Sequence, residues 1–251
     1  MVFRRARPVC RNHQDRRKID GSQGWIPGLH ILGSPNTLTS AGTCRSFPKA
    51  KGNFRGSTLC RAEREGFTGC RMIERYFSVD IETSGPIIGK HSLLALGICR
   101  CDDLTRTFSC EVAPISERQD AKAMEIVGKP LRHFFDNGEK PEAAFANLRA
   151  WVSEESISAS PVFVGFNAAF DWGFVNWYFL TYLGENPFGI APLDIKAYYA
   201  GFAGSTWDET RSSQLPVEFK AGMPHTHDAL HDAIEQAQIF NNICAAQRSK
   251  R

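Results

Sequence analysis

An α/β fold is what this sequence predicts, with a strand meander at the front followed by helices around a further strand. Three observations predict it. Short aromatic and β-branched runs at residues 76–81, 92–101 and 105–112 are separated by turn residues and read as consecutive strands. A second apolar run at 161–166 is followed directly by a helical stretch. The chain closes on a segment, 228–246, whose apolar residues recur at the spacing of one helical face.

The first strand, YFSVDI at 76–81, is ended by Ser84, Gly85 and Pro86. Side chains two apart on a strand share a face, so Asp80 and Glu82 point the same way. Two carboxylates about 4 Å apart repel by roughly 1 kcal/mol in water and about 4 kcal/mol at an effective dielectric of 20. Such a pair favours a cation between them, and hard oxygen ligands favour Mg²⁺ or Mn²⁺ over zinc. Taken alone the pair is weak evidence, since a D-x-E at a strand end is usually a solvated edge. The runs at 92–101 (SLLALGICRC) and 105–112 (TRTFSCEV) complete the meander across Asp102 and Asp103. Helical patterns follow at 121–127 and 142–155.

The run PVFVGF at 161–166 reads as a buried strand, and Asn167 stands at the start of a helix that reaches Leu183. Asp171 then sits one turn into that helix. By itself such an acid is more often one that complements the helix dipole. The aromatic residues Trp172, Phe174, Trp177, Tyr178 and Phe179 read as core. A short LDIKAYYA element comes next, with Asp194 a structural acid rather than a ligand. In the final helix the apolar stripe is Ala229, Leu230, Ala233, Ile234, Ala237, Phe240 and Cys244, and Asp232 lies beside it in the first turns. His227, five residues earlier, falls about 140° around an ideal helix from Asp232 and is better placed in the entering loop. A loop histidine beside an activated water can act as general base, its unperturbed pKa being near 6.5. His225 and His231 read as exposed polar residues.

Together SVDIETSG, GFNAAFDW and HDALHDA resemble the three motifs of the DEDDh 3′–5′ exonucleases, the histidine-containing branch of the ribonuclease H-like superfamily that includes proofreading subunits, ribonuclease T and oligoribonuclease. The resemblance spans about residues 75–246. It implies a ribonuclease H-like fold with a mixed five-stranded sheet flanked by helices, in which Asp80 approaches Asp171. Carried over residue by residue, Asp80, Glu82, Asp171 and Asp232 resemble the four metal-binding acids, and His227 the general base. Several members place a histidine just before the Asn of the second motif, where this chain has Phe166.

The expected activity is therefore two-metal hydrolysis of phosphodiester bonds at the 3′ end of single-stranded RNA or DNA, with two Mg²⁺ ions, or Mn²⁺ in their place, and 5′ mononucleotides as product. The 3′ polarity rests on the resemblance. Thr83, Ser84 and Phe166 are candidate contacts to the terminal nucleotide, Phe166 by stacking. A catalytically silent nucleic-acid-binding module of the same fold and a two-metal endonuclease are the alternatives.

Charge divides the 251 residues near position 72. Residues 1–71 hold 14 Lys and Arg against 4 acids, a net +10, which leaves 16 against 23, a net −7, for the remainder. With nine of the 21 glycines and no sustained apolar period, 1–71 is expected to be a disordered basic extension. A nucleic-acid tail, a targeting peptide and a translated upstream region compete for it. The last is favoured, because Met72 precedes the first strand and opens a 180-residue domain, 72–251. Eight cysteines without a C-x-x-C pair are expected as free thiols in a reducing cytoplasm rather than a zinc site. No apolar run reaches the roughly 20 residues that would span a bilayer, so no membrane partner is expected.

Overall fold

The computed structural model describes residues 73–250. The basic extension expected at 1–71, and the start proposed at Met72, lie outside the described residues. Five strands form one sheet: β1 (Ile73–Thr83), β2 (Leu93–Arg100), β3 (Asp103–Glu111), β4 (Ala159–Gly165) and β5 (Leu193–Asp194), in the order β3-β2-β1-β4-β5. The meander β1-β2-β3 is antiparallel, while β4 and β5 join parallel to β1, so the sheet is mixed as expected. Among the described residues six α-helices accompany it: α1 (Ala121–Val127), α2 (Leu131–Asn137), α3 (Pro141–Glu155), α4 (Ala169–Leu183), α5 (Ile195–Ala203) and α6 (Ala229–Ser249).

Alternation along β1 sends its side chains to two cores. Phe77, Val79 and Ile81 pack with Phe145 and Leu148 of α3 and with Phe174, Tyr178 and Phe179 of α4. On the other face Val164 and Cys99 meet Ile195 of α5 and Ala237, Phe240 and Ile243 of α6. Asp80 and Glu82 have the parity of this second face, so they look towards α6. The expected aromatic core of α4 is in place: Phe174, Tyr178 and Phe179 are buried, and Trp172 and Trp177 pack half-buried against them.

The register explains how α6 comes so close. Gly97 of β2 pairs with Asp80 of β1, and a Cβ at Gly97 would stand 2.3 Å from the Ala229 carbonyl and Leu230 Cα. Only a glycine lets the first turn of α6 rest on the strand. The parallel pairing of β1 with β4 ends at Ser78 and Val164. Beyond it the C-terminal ends of both strands open into a crevice, the usual location of sites in parallel α/β sheets.

Four details differ from the sequence expectation. Helix α2 had no sequence counterpart, since seven residues with only Leu131 and Phe134 buried give too short a period to read. The LDIKAYYA element is two elements, a two-residue strand and a nine-residue helix joined at Asp194. Asn167 does not begin α4: it takes a left-handed conformation, φ 67°, and the helix starts at Ala169. The buried face of α6 is also rotated from the apolar stripe. It carries Ala229, Asp232, Ala233, Gln236, Ala237, Ile239, Phe240 and Ile243, so two polar side chains lie on the inward face, not beside it.

Candidate metal centre and active cleft

Each of the three sequence motifs delivers its acids to the crevice by a different local device. In β1 the strand alternation presents Asp80 and Glu82 together, and the pairing with β2 slips between Glu82 and Thr83, turning the strand end. Asp171 is held from α4. Where β4 has already turned away, its Oδ1 accepts a hydrogen bond from the Ile81 main-chain N–H at 3.2 Å, extending the sheet ladder by one carboxylate. Asp232 arrives fully buried on the first turn of α6, whose N-cap Asp228 accepts from His231 N–H. It closes the entering loop on itself: Oδ1 accepts from Thr226 N–H at 2.9 Å and Oδ2 from His227 N–H at 2.7 Å.

The oxygens converge. Ligand atoms of Asp80, Glu82 and Asp232 all lie within 4.8 Å of one another. Asp80, Glu82 and Asp171 line a cleft of about 450 Å³, walled also by Phe166 and by His227. His227 stands in the entering loop as expected, before the helix, and its φ of 59° is a left-handed conformation that a non-glycine residue adopts at a cost. The hydrogen bond from its own N–H to Asp232 holds that turn.

Electrostatics follow from burial and crowding. Burial first, then the charges of Asp171, Glu82 and Asp232, push the Asp80 carboxyl well above the usual carboxylate range. Glu82 is pushed up to about 7 by burial and by Asp232 and Asp228. Asp171 is raised by burial, against the opposing hydrogen bonds from its own main chain and from Ile81. Carboxyls held this way resist ionising together until a cation offsets them. An all-oxygen donor set of this geometry fits hard divalent ions, and divalent metal is the cofactor class the residues suit.

Sequence reasoning missed Gln236. It is buried on α6, donates from Nε2 to Asp80 Oδ1 at 2.6 Å and accepts from Phe166 N–H at Oε1 at 2.7 Å. One amide thus joins the ends of β1 and β4 and fixes which oxygen of Asp80 faces the cleft. Its position one helical turn after Asp232 was the only available signal. His225 was also passed over, although it lines the same cleft, with Nδ1 3.2 Å from Asp232 Oδ2 and 3.0 Å from Glu235 Oε2. Asp194 is the structural acid the sequence suggested: it accepts from Ala168 N–H at 2.6 Å and caps α5 through Ala197 N–H at 2.7 Å.

The three expected nucleotide contacts divide. Thr83 and Phe166 line the cleft. Ser84 does not: it is fully buried, donates to the Arg118 carbonyl at 2.9 Å and accepts from Ser92 N–H at 2.8 Å, which makes it a strut between segments rather than a contact. The exposed side chains of Phe170 on α4 and Ile126 on α1, unflagged by the sequence, add apolar wall.

Comparison with known proteins extends the geometry. No family model matches the chain. Over 179 residues, 71% of this chain and 96% of the relative, it is 45% identical to an Escherichia coli protein named 3′–5′ DNA exonuclease Cap18. Its fold is similar to the nuclease domain of 3′hExo, a DEDDh family member bound to rAMP, with a TM-score of 0.56 at 15% identity, covering 70% of this chain and 93% of that one. It is also similar to E. coli exonuclease I in complex with a dT13 oligonucleotide, with a TM-score of 0.52 at 16% identity, over 70% of this chain and 41% of that one.

Proposed function

The chain belongs to the DEDDh family of 3′–5′ exonucleases, and on that premise we propose how its cleft works and which strand it degrades. As a member it hydrolyses phosphodiester bonds from the 3′ end of single-stranded nucleic acid and releases 5′ mononucleotides. Asp80, Glu82, Asp171 and Asp232 are the ligands for two divalent cations, Mg²⁺ in our reading with Mn²⁺ as a substitute. When bound, these cations supply the charge that activates the attacking water and stabilises the leaving 3′ oxygen.

The protein's own groups do the rest. His227 accepts the proton of the attacking water. Its main-chain bond to Asp232 means that any shift of the acid moves the base with it. Gln236 keeps Asp80 Oδ1 engaged, leaving the second oxygen to turn into the cleft. Phe166, Phe170 and Ile126 offer surfaces against which a terminal base stacks or packs.

The single observation that carries this reading is the meeting of acids from β1 and α6 within 4.8 Å, with Asp171 and His227 in the same cleft. DNA is the proposed substrate, supported by the name of the 45% identical relative. Among the described residues Cys99, Cys101, Cys110 and Cys244 are free thiols, which is consistent with the reducing, cytoplasmic setting proposed for the protein. Among the described residues no helix is long and apolar enough to cross a membrane.

Incubating the purified protein with 5′-labelled and 3′-labelled single strands of DNA and RNA, with Mg²⁺ and then EDTA, tests all of this. Expected is a ladder shortening from the 3′ end, faster on DNA and stopped by EDTA. Internal cuts would favour the endonuclease, and equal rates on RNA would remove the DNA assignment.

A further inference from the structure

Asp232 belongs to two groups of potential ligands. The first is the all-oxygen set with Asp80 and Glu82. The second joins it to His225 and His227, whose ligand atoms also lie within 4.8 Å of one another and of an Asp232 oxygen. The two imidazole rings stand 4.6 Å apart at 82°. Both histidines are solvent-exposed while the acid is buried, so the set opens towards the cleft. Glu235 Oε2 at 3.0 Å from His225 Nδ1 orients that ring, as outer carboxylates commonly orient histidine ligands.

Donor chemistry separates the two sets. Mg²⁺ prefers carboxylate oxygen, whereas borderline ions such as Zn²⁺ prefer imidazole nitrogen, so a site with two imidazoles and one carboxylate favours Zn²⁺ over Mg²⁺. Two histidines and one carboxylate with a fourth position open to solvent form a familiar zinc donor set. We propose that His225, His227 and Asp232 form a second, inhibitory site that takes Zn²⁺ in preference to Mg²⁺, which switches the nuclease off by coordinating the imidazole that would take the water's proton. The lone pair on His227 cannot bind a metal and accept a proton at once. Zinc and proton abstraction are mutually exclusive at this ring. Inhibition, though not binding, rests on His227 as general base.

The test is zinc binding by calorimetry on the intact protein at an activity-supporting Mg²⁺ concentration, beside zinc inhibition of strand shortening, in wild type, His225→Ala and His231→Ala. Rates are normalised to each protein's own zinc-free rate. His231 is the control: its ring lies beside Asp232, with Nδ1 3.5 Å from Oδ1, but it is not one of the three ligands. Expected is one zinc site in wild type and in His231→Ala, weakened about tenfold or more in His225→Ala, with the inhibition midpoint moving in parallel. Equal zinc affinity in wild type and His225→Ala overturns the site. Binding that depends on His225 without inhibition, or zinc supporting hydrolysis at the Mg²⁺ rate, overturns the switch. Failure of the nuclease reading itself is distinguishable: wild type would then be inactive with Mg²⁺ on every strand, while the calorimetric isotherm is unaffected.

Discussion

Five polar groups converge on the Asp232 carboxylate or stand beside it: two main-chain N–H groups, the Thr226 hydroxyl and the rings of His225 and His231. This density makes the neighbouring side chains separable by experiment. The contact from His227 to Asp232 is main-chain, so His227→Ala keeps it and removes only the imidazole. Turnover should fall about 10²–10⁴-fold, while the Mg²⁺ concentration for half-maximal rate and the melting temperature stay close to wild type. A large shift in the Mg²⁺ requirement would instead make His227 a ligand of the catalytic ions. Gln236→Leu has the opposite signature, because it frees Asp80 and leaves the Phe166 N–H without its acceptor. Metal affinity, read by Mn²⁺ titration without substrate, should weaken about 10–100-fold. The acids were legible in the sequence because three motifs occur together in a family order, each being weak evidence by itself. Gln236 was not, since its role exists only where two strand ends and a helix meet.

At the scale of elements, the site depends on how closely α6 lies on β2. Gly97→Ala would place a methyl 2.3 Å from backbone atoms of Ala229 and Leu230, which cannot rotate aside as a side chain would. The helix start must retreat and carry Asp232 with it. The expected result is a loss of about 1–3 kcal/mol in denaturant unfolding together with at least a tenfold fall in turnover. Gly201→Ala in α5 is the contrasting case: nothing lies within 4 Å of its Cβ position, and helix propensity predicts a gain of up to about 1 kcal/mol with unchanged activity. Strands and the long helices were readable from period alone. What period could not show was the rotation of α6, because Leu230 and Ile234 look more buried by composition than Asp232 and Gln236. Nor could it show Asn167, whose left-handed turn lets Asp194 reach Ala168.

For the whole molecule, charge decides when the fold is most stable. Among the described residues the side chains lining the cleft include Asp80, Glu82, Asp120 and Asp171 and no Lys or Arg, and residues 72–251 carry a net −7. Within that lining bound cations are the positive charges open to a substrate phosphate, and strand binding should weaken in EDTA. The same crowding sets a pH dependence. Glu82 rises from 4.5 in the unfolded chain to about 7 in the fold, and Asp80 and Asp171 rise with it. The groups around Glu82 are Asp80, Asp228 and Asp232, with His225 and His227 lining the same cleft. Because the folded protein binds more protons than the unfolded chain between these values, their contribution is fully present below about pH 4 and is lost as pH climbs through about 7. The melting temperature of the metal-free protein should thus fall across that window, and Glu82→Gln should flatten the fall. Metal reverses the sign, since it binds the ionised carboxylates. At a hundredfold excess over its dissociation constant one ion adds about 2.7 kcal/mol, roughly 5–10 °C for a domain this size. Melting curves with Mg²⁺ and with EDTA at pH 8 should differ by that order, and at pH 5 by much less. An equal difference at both values would mean that the metal is not held by these acids.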